Sequence, residues 1–101
     1  MVEINSKTRR QLEKLAHSLE PVVIVGANGV TEQLIKMVET SLEAHELLKI
    51  KFNEFKDEKH ELTENICPAC DANLVRISGN VAIIFKQNKD PEKRKYNISL
   101  A

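Results

Sequence analysis

Between an apolar, β-branched run and a helix start, the chain reads Pro21-Val22-Val23-Ile24-Val25-Gly26-Ala27-Asn28-Gly29-Val30-Thr31-Glu32, and this stretch limits what the rest can fold into. Val22–Val25 reads as a buried strand, Pro21 stops the helix before it, and Thr31 stands where it caps a helix with Glu32 in its first turn. Two glycines three residues apart let a strand turn sharply into a helix, because Gly enters positive φ without steric cost. Such a turn also brings backbone N–H groups to a helix N-terminus, where unpaired donors and the macrodipole attract an anion such as phosphate.

The flanking patterns extend this unit in both directions. Ser6 is a candidate N-cap for a first helix with Leu12, Leu15, Ala16 and Leu19 on one stripe, and Lys7, Arg10 and Lys14 share a second face of it. Leu34, Ile35, Val38 and Leu42 form the stripe of the second helix, and His45 falls in its last turn, where a cation is favoured. Leu48, Ile50 and Phe52 alternate with Lys49, Lys51 and Asn53, which predicts a half-buried strand with two lysines outward. A charged third helix is expected from about Asp57, with Leu62 and Ile66 inward, until Pro68 cuts it short. Leu74–Ser78 and Val81–Gln87 read as a hairpin turning at Ser78-Gly79-Asn80. Asn88–Lys95 reads as a mobile polar loop, and the alternation of Tyr96, Ile98 and Leu100 as a short extra strand. The order α-β-α-β-α-β-β predicts an α/β fold: one compact domain over 1–101, with a small mixed four-stranded sheet packed by three helices.

At 101 residues the chain holds one modest core. No run approaches the length of a membrane-spanning helix and no apolar signal core follows Met1, so a cytoplasmic protein with no membrane partner is expected. Net charge is zero, but its distribution is uneven. Residues 54–71 carry Glu54, Asp57, Glu58, Glu61, Glu64 and Asp71 against Lys56 and Lys59. From Asn73 onward, Arg76, Lys86, Lys89, Lys93, Arg94 and Lys95 face only Asp90 and Glu92. The chain is acidic in its middle and basic at both ends, which is compatible with one basic, phosphate-binding face.

Enzymatic patterns are missing. His17, His45 and His60 stand beside no evident nucleophile, and Gly26-Ala27-Asn28-Gly29 lacks both the Lys-Ser/Thr of a Walker loop and the third glycine of a dinucleotide fingerprint. Neither a cofactor nor a small-molecule substrate is expected. Cys67-Pro68-Ala69-Cys70 ends a helix rather than starting one, so the dipole raises its thiol pKa values, and structural zinc wants four ligands where one Cys pair is present. The pair reads as partly buried structural thiols; a thiol- or metal-dependent regulator is the alternative. Phe52, Phe55, Phe85 and Tyr96 are the only aromatic residues, too few for a base-stacking sheet platform.

What remains is the glycine loop with basic neighbours, and a Gly-x-x-Gly loop clamps nucleic-acid backbone in KH modules. Three segments carry a family resemblance. These are Arg10-x-Leu12-x-x-Leu15-Ala16-His17-x-Leu19-x-Pro21-Val22-Val23-x-x-Gly26-x-x-Gly29-Val30-Thr31-Glu32, His45-Glu46-Leu47-Leu48-Lys49-Ile50-Lys51 and Ile77-Ser78-Gly79-Asn80. Together, over roughly residues 5–87, they resemble the CRM domain (chloroplast RNA splicing and ribosome maturation), in particular its free-standing bacterial YhbY-like form. The resemblance implies a fold akin to the C-terminal domain of translation initiation factor three, and RNA as partner. It also implies association with large-subunit ribosomal RNA in pre-ribosomal particles; a monomer is expected. Carried onto this chain, Gly26, Ala27, Asn28 and Gly29 are the RNA-contacting loop, with Lys7, Arg10, Lys14, Lys49 and Lys51 as electrostatic additions. The Ala-Asn pair at the centre of the loop has no positive charge, so neighbouring cations must supply it. A protein-interaction module using the acidic third helix is the rival reading.

Overall fold

The elements follow in the order α1 (Ser6–Ala16), β1 (Val23–Val25), α2 (Glu32–His45), β2 (Leu47–Phe52), a 3-10 turn (Lys56–Glu58), α3 (Lys59–Cys70), β3 (Asn73–Ser78), β4 (Val81–Phe85) and a second 3-10 turn (Pro91–Lys93). They are seen in a computed structural model that describes residues 4–96 and 98. β1 and β2 run parallel, joined through α2, while β4 lies between β2 and β3 and is antiparallel to both, giving the order β1-β2-β4-β3. This is the mixed four-stranded sheet with three helices that the apolar pattern predicts.

Strand alternation splits the core between the two faces of the sheet. On one face Val23, Val25, Leu48, Ile50, Phe52, Ala82 and Ile84 meet Leu34, Val38 and Leu42 of α2 and Ile66, Cys67 and Cys70 of α3. On the other, Leu47, Val75, Ile83 and Phe85 meet Leu12 and Ala16 of α1, together with Ile4 and Ile98. Phe52 and Phe85, both fully buried, therefore anchor opposite faces.

Several local readings change. The N-cap of α1 is Asn5, not Ser6: its Oδ1 accepts from the Thr8 N–H at 2.8 Å. Leu15 lies 37% exposed while Leu12 and Ala16 are fully buried, so the α1 stripe is narrower than expected. β1 is not buried throughout, because it is an edge strand covered on one face; Val23 and Val25 point inward and Ile24 is 52% exposed. Pro68 does not cut α3. It sits in the last turn on an exposed side, where the missing N–H costs one bond to the Glu64 carbonyl. The helix instead ends at Asp71 in the left-handed conformation (φ 55°), with Ala72 N–H donating to Cys67 O at 2.8 Å. β4 stops at Phe85, two residues short of the expected Gln87.

Segment 88–96 is anchored rather than loose. Glu46, directly after α2, is 1% exposed with φ 64°, and its carboxylate accepts from the N–H groups of Asn88 (2.6 Å), Lys95 (2.6 Å) and Tyr96 (3.4 Å). Three amide donors satisfy a carboxylate that would otherwise be costly to bury. Tyr96 and Ile98 then pack on the α1 face. The extra strand expected from Tyr96, Ile98 and Leu100 depends on residues outside the described ones.

Candidate functional site

Gly26–Gly29 closes as a turn, with Gly29 N–H donating to Gly26 O at 3.0 Å. Closure of this kind does not use the N–H groups of the two central residues, Ala27 and Asn28, and both residues are exposed. Thr31 then caps α2 as expected, its Oγ1 accepting from Leu34 N–H at 3.1 Å, so the loop feeds straight into a helix N-terminus.

The two glycines have different reasons. Gly29 has φ 70°, and a Cβ there would stand 3.4 Å from the Phe55 ring, so the fold itself asks for glycine. Gly26 has no positive φ, and a Cβ there would meet nothing within 4 Å. Neither backbone conformation nor packing accounts for a glycine at Gly26.

Phe55 is the residue that sequence reasoning missed at this site. Its own φ is 55°, it is 42% exposed, and its ring lies against Gly29. The positive φ of Phe55, an aromatic residue, has no sequence signal. The chain arrives there because Asn53 and Glu54 N–H both donate to Val25 O, at 3.1 and 3.2 Å, folding the segment after β2 back beside the loop. That segment brings Glu54, Asp57 and Glu58 to a recess shared with Ala27. The acidic stretch therefore begins on one flank of the glycine loop, not only on the opposite side of the molecule.

Lys56 lines the same recess, while the cations expected at the site lie elsewhere. Lys7, Arg10 and Lys14 are exposed on α1 at three- and four-residue spacing, opposite its buried Thr8, Leu12 and Ala16. Arg10, Lys14 and His17 line a groove of about 510 Å³ with Glu13 and Arg76, which form an ion pair at 2.7 Å. Lys51 is exposed on β2. Lys49 is engaged within the protein, since its Nζ donates to Leu19 O (2.9 Å) and His17 O (3.5 Å), holding carbonyls that follow the end of α1. Its charge serves the fold, which the outward alternation of Lys49 and Lys51 could not reveal.

Cys67 and Cys70 are unpaired and buried in the α2/α3 core. Burial, then the neighbouring Cys70, pushes the Cys67 thiol from 9.0 up to about 11. Cys70 is raised as well, by burial first and then by Glu39, with Lys86 acting against them. Neither carries the lowered pKa of a reactive thiol. Among the described residues no group of three or more His, Cys, Asp or Glu side chains could hold a metal, and no helix is long and apolar enough to cross a membrane.

Against known proteins, the family model of the CRS1 / YhbY (CRM) domain matches residues 4–86. A "Probable RNA-binding protein" of Pseudomonas aeruginosa is 32% identical over 97 residues, which is 95% of this chain and 93% of that protein. A second relative with the same description, from Methanocaldococcus jannaschii, is 35% identical over 94 residues, 90% of this chain and 69% of its own. The solution structure of a hypothetical protein from Staphylococcus aureus superposes with a TM-score of 0.78 at 32% identity, covering 98% of this chain and 100% of that one.

Proposed function

The chain belongs to the CRS1 / YhbY (CRM) domain family, and from that premise we propose that it binds RNA, without catalysis, by seating the phosphate backbone against the Gly26–Gly29 turn. The observation that carries this reading is Gly26, a glycine that neither φ nor packing requires. A bare backbone at that point leaves room for a ligand to approach the turn closely. Lys7, Arg10, Lys14 and Lys51 supply the charge that Ala27 and Asn28 lack. The RNA we propose is that of large ribosomal subunit precursors, as the resemblance to YhbY-like proteins implies, with the chain acting in the cytoplasm during subunit assembly.

The test is a binding titration with ribosomal RNA fragments across a salt series. Four phosphate-binding cations on single-stranded RNA give a log–log slope of about −3. Gly26→Ala should keep the fold and weaken binding several-fold. A folded Gly26→Ala protein that binds as wild type removes the loop from the reading. Gly29 is a poorer probe, because any side chain there meets φ 70° and the Phe55 ring. Gradient fractionation decides the ribosomal part: the protein should sediment with large-subunit precursors, and recovery only at the top of the gradient overturns that assignment.

A further inference from the structure

The glycine loop has two unlike flanks. On one side Glu54, Asp57 and Glu58, three carboxylates against Lys56, share a recess with Ala27. On the other lies the part of the sheet that α1 leaves bare, and strand register defines it. Ile24, Lys51, Val81 and Ser78 stand opposite one another across β1, β2, β4 and β3, forming one cross-strand row. Alternation puts this row on the α1 side, since Val23, Val25, Ile50, Phe52 and Ala82 all point into the α2/α3 core. The next row contains Lys49, Ile83 and Arg76, where α1 begins: Lys49 holds its end, Ile83 is in its core and Arg76 pairs with Glu13. Between loop and helix there is thus a strip in which Ile24 is 52% exposed and Lys51 is exposed between β1 and β4, with Val22, 49% exposed, beside Lys49 at its α1 end.

We infer that this strip seats a single-stranded RNA segment running from the glycine loop toward α1, with bases and sugars on Val22, Ile24 and Val81 and phosphates on Lys51, Arg10 and Lys14. The inference rests on the reading of the loop as an RNA-backbone contact and adds the class of RNA and its path. Charge selects the occupant. Lys51 lies within the strip, and Arg10, Lys14 and His17 border the groove beyond it, so a second copy docked strip to strip would bring like charges together. Apolar content selects the strand state. A duplex turns its bases inward and offers phosphate and 2′-hydroxyl, which leaves Val22 and Ile24 against polar groups. A single strand offers open base faces, which aliphatic side chains can cover by burying apolar surface, without the aromatic stacking this sheet lacks. The net negative charge of the other flank, where Glu54, Asp57 and Glu58 outnumber Lys56, disfavours the opposite direction.

The experiment compares a short oligouridine with a blunt RNA duplex of the same length, using the full chain as wild type, Ile24→Asn, Lys51→Gln and Gly26→Ala. Wild type should prefer the oligouridine. Ile24→Asn should weaken oligouridine binding about fivefold with an unchanged salt slope, because an apolar contact releases no counterion. Lys51→Gln should weaken it and reduce the slope by about 0.7. Circular dichroism checks the fold, and Ile24→Thr, which keeps strand propensity, stands in if Ile24→Asn unfolds. If Ile24→Asn and Lys51→Gln bind as wild type while Gly26→Ala loses affinity, the strip is refuted and the loop stands. Preference for the duplex also overturns the inference. Binding to neither RNA removes the loop reading and the strip together. A concentration-dependent dimer that Ile24→Asn abolishes, with RNA affinity unchanged, would give the strip to a second copy and overturn it.

Discussion

Under α2 and α3 the sheet is closed over β1, β2 and β4 and partly over β3; under α1 the same four strands are covered at one end and bare at the other. Val23, Ile50, Phe52, Ala82 and Ile84 are all at or near zero exposure on the first face. On the second, Phe85 and Leu47 are just as buried, yet Ile24 on the neighbouring edge strand is half open. Covering a strand on one face and not the other divides labour between alternate residues, so that stability and recognition lie one residue apart. Val25 and Gly26 mark the point where the two meet.

Three substitutions and one titration press on that division. The largest effect is expected from Phe52→Ala on the closed face, about 3–5 kcal/mol in denaturant unfolding, because the cavity is walled by both helices and sheet. A loss under about 1 kcal/mol would show that face to be loosely packed and would weaken the contrast. Glu46→Gln comes next, at about 2–3 kcal/mol: an amide presents one oxygen and one NH₂ where the carboxylate served three N–H groups. Hydrogen exchange at Asn88 and Lys95 should accelerate; unchanged exchange at both would show that the carboxylate does not hold this segment.

The titration concerns Cys67. Its folded pKa lies above its unfolded one, so its contribution is fully present below pH 9 and declines as pH rises toward about 11. The stability of wild type minus that of Cys67→Ala should therefore fall across pH 9–11, and a constant difference would remove burial as the cause. Smallest of all, Ile24→Asn on the open face should change stability by about 0.5 kcal/mol or less. A cost like that of Phe52→Ala would mean the strip is core.

Where periodicity carries the information, the chain is readable. The stripes of α2, the alternation in β2 and the Gly79-Asn80 turn lead directly to the observed elements, because each depends on neighbours within a few residues. The α1 cap and the end of α3 are displaced by a few residues for local reasons, a competing Asn5 and a proline tolerated in a last turn. What the pattern hides is tertiary. Glu46 looks like one more charged residue after a helix, and nothing nearby in sequence shows that the amides of Asn88, Lys95 and Tyr96 come to meet it. Lys49 and Lys51 look alike until α1 is placed, after which one holds the helix end and the other faces outward. The glycine loop is visible as a motif, but the reason for each glycine is not, since it takes the positive φ of Gly29 and the Phe55 ring beside it to separate Gly29 from Gly26.

The placement of β4 between β2 and β3 has a consequence in time. A ribosome makes β1, α2, β2, α3 and β3 before the strand that joins them, so until Phe85 emerges the inner edge of β2 has no partner and Leu48, Ile50 and Phe52 have only part of their cover. Neither half of the chain can finish its sheet alone, and the final strand closes both at once. Such an architecture folds late and cooperatively, and its exposed, lysine-bearing β2 edge must resist pairing with other nascent chains in the interval.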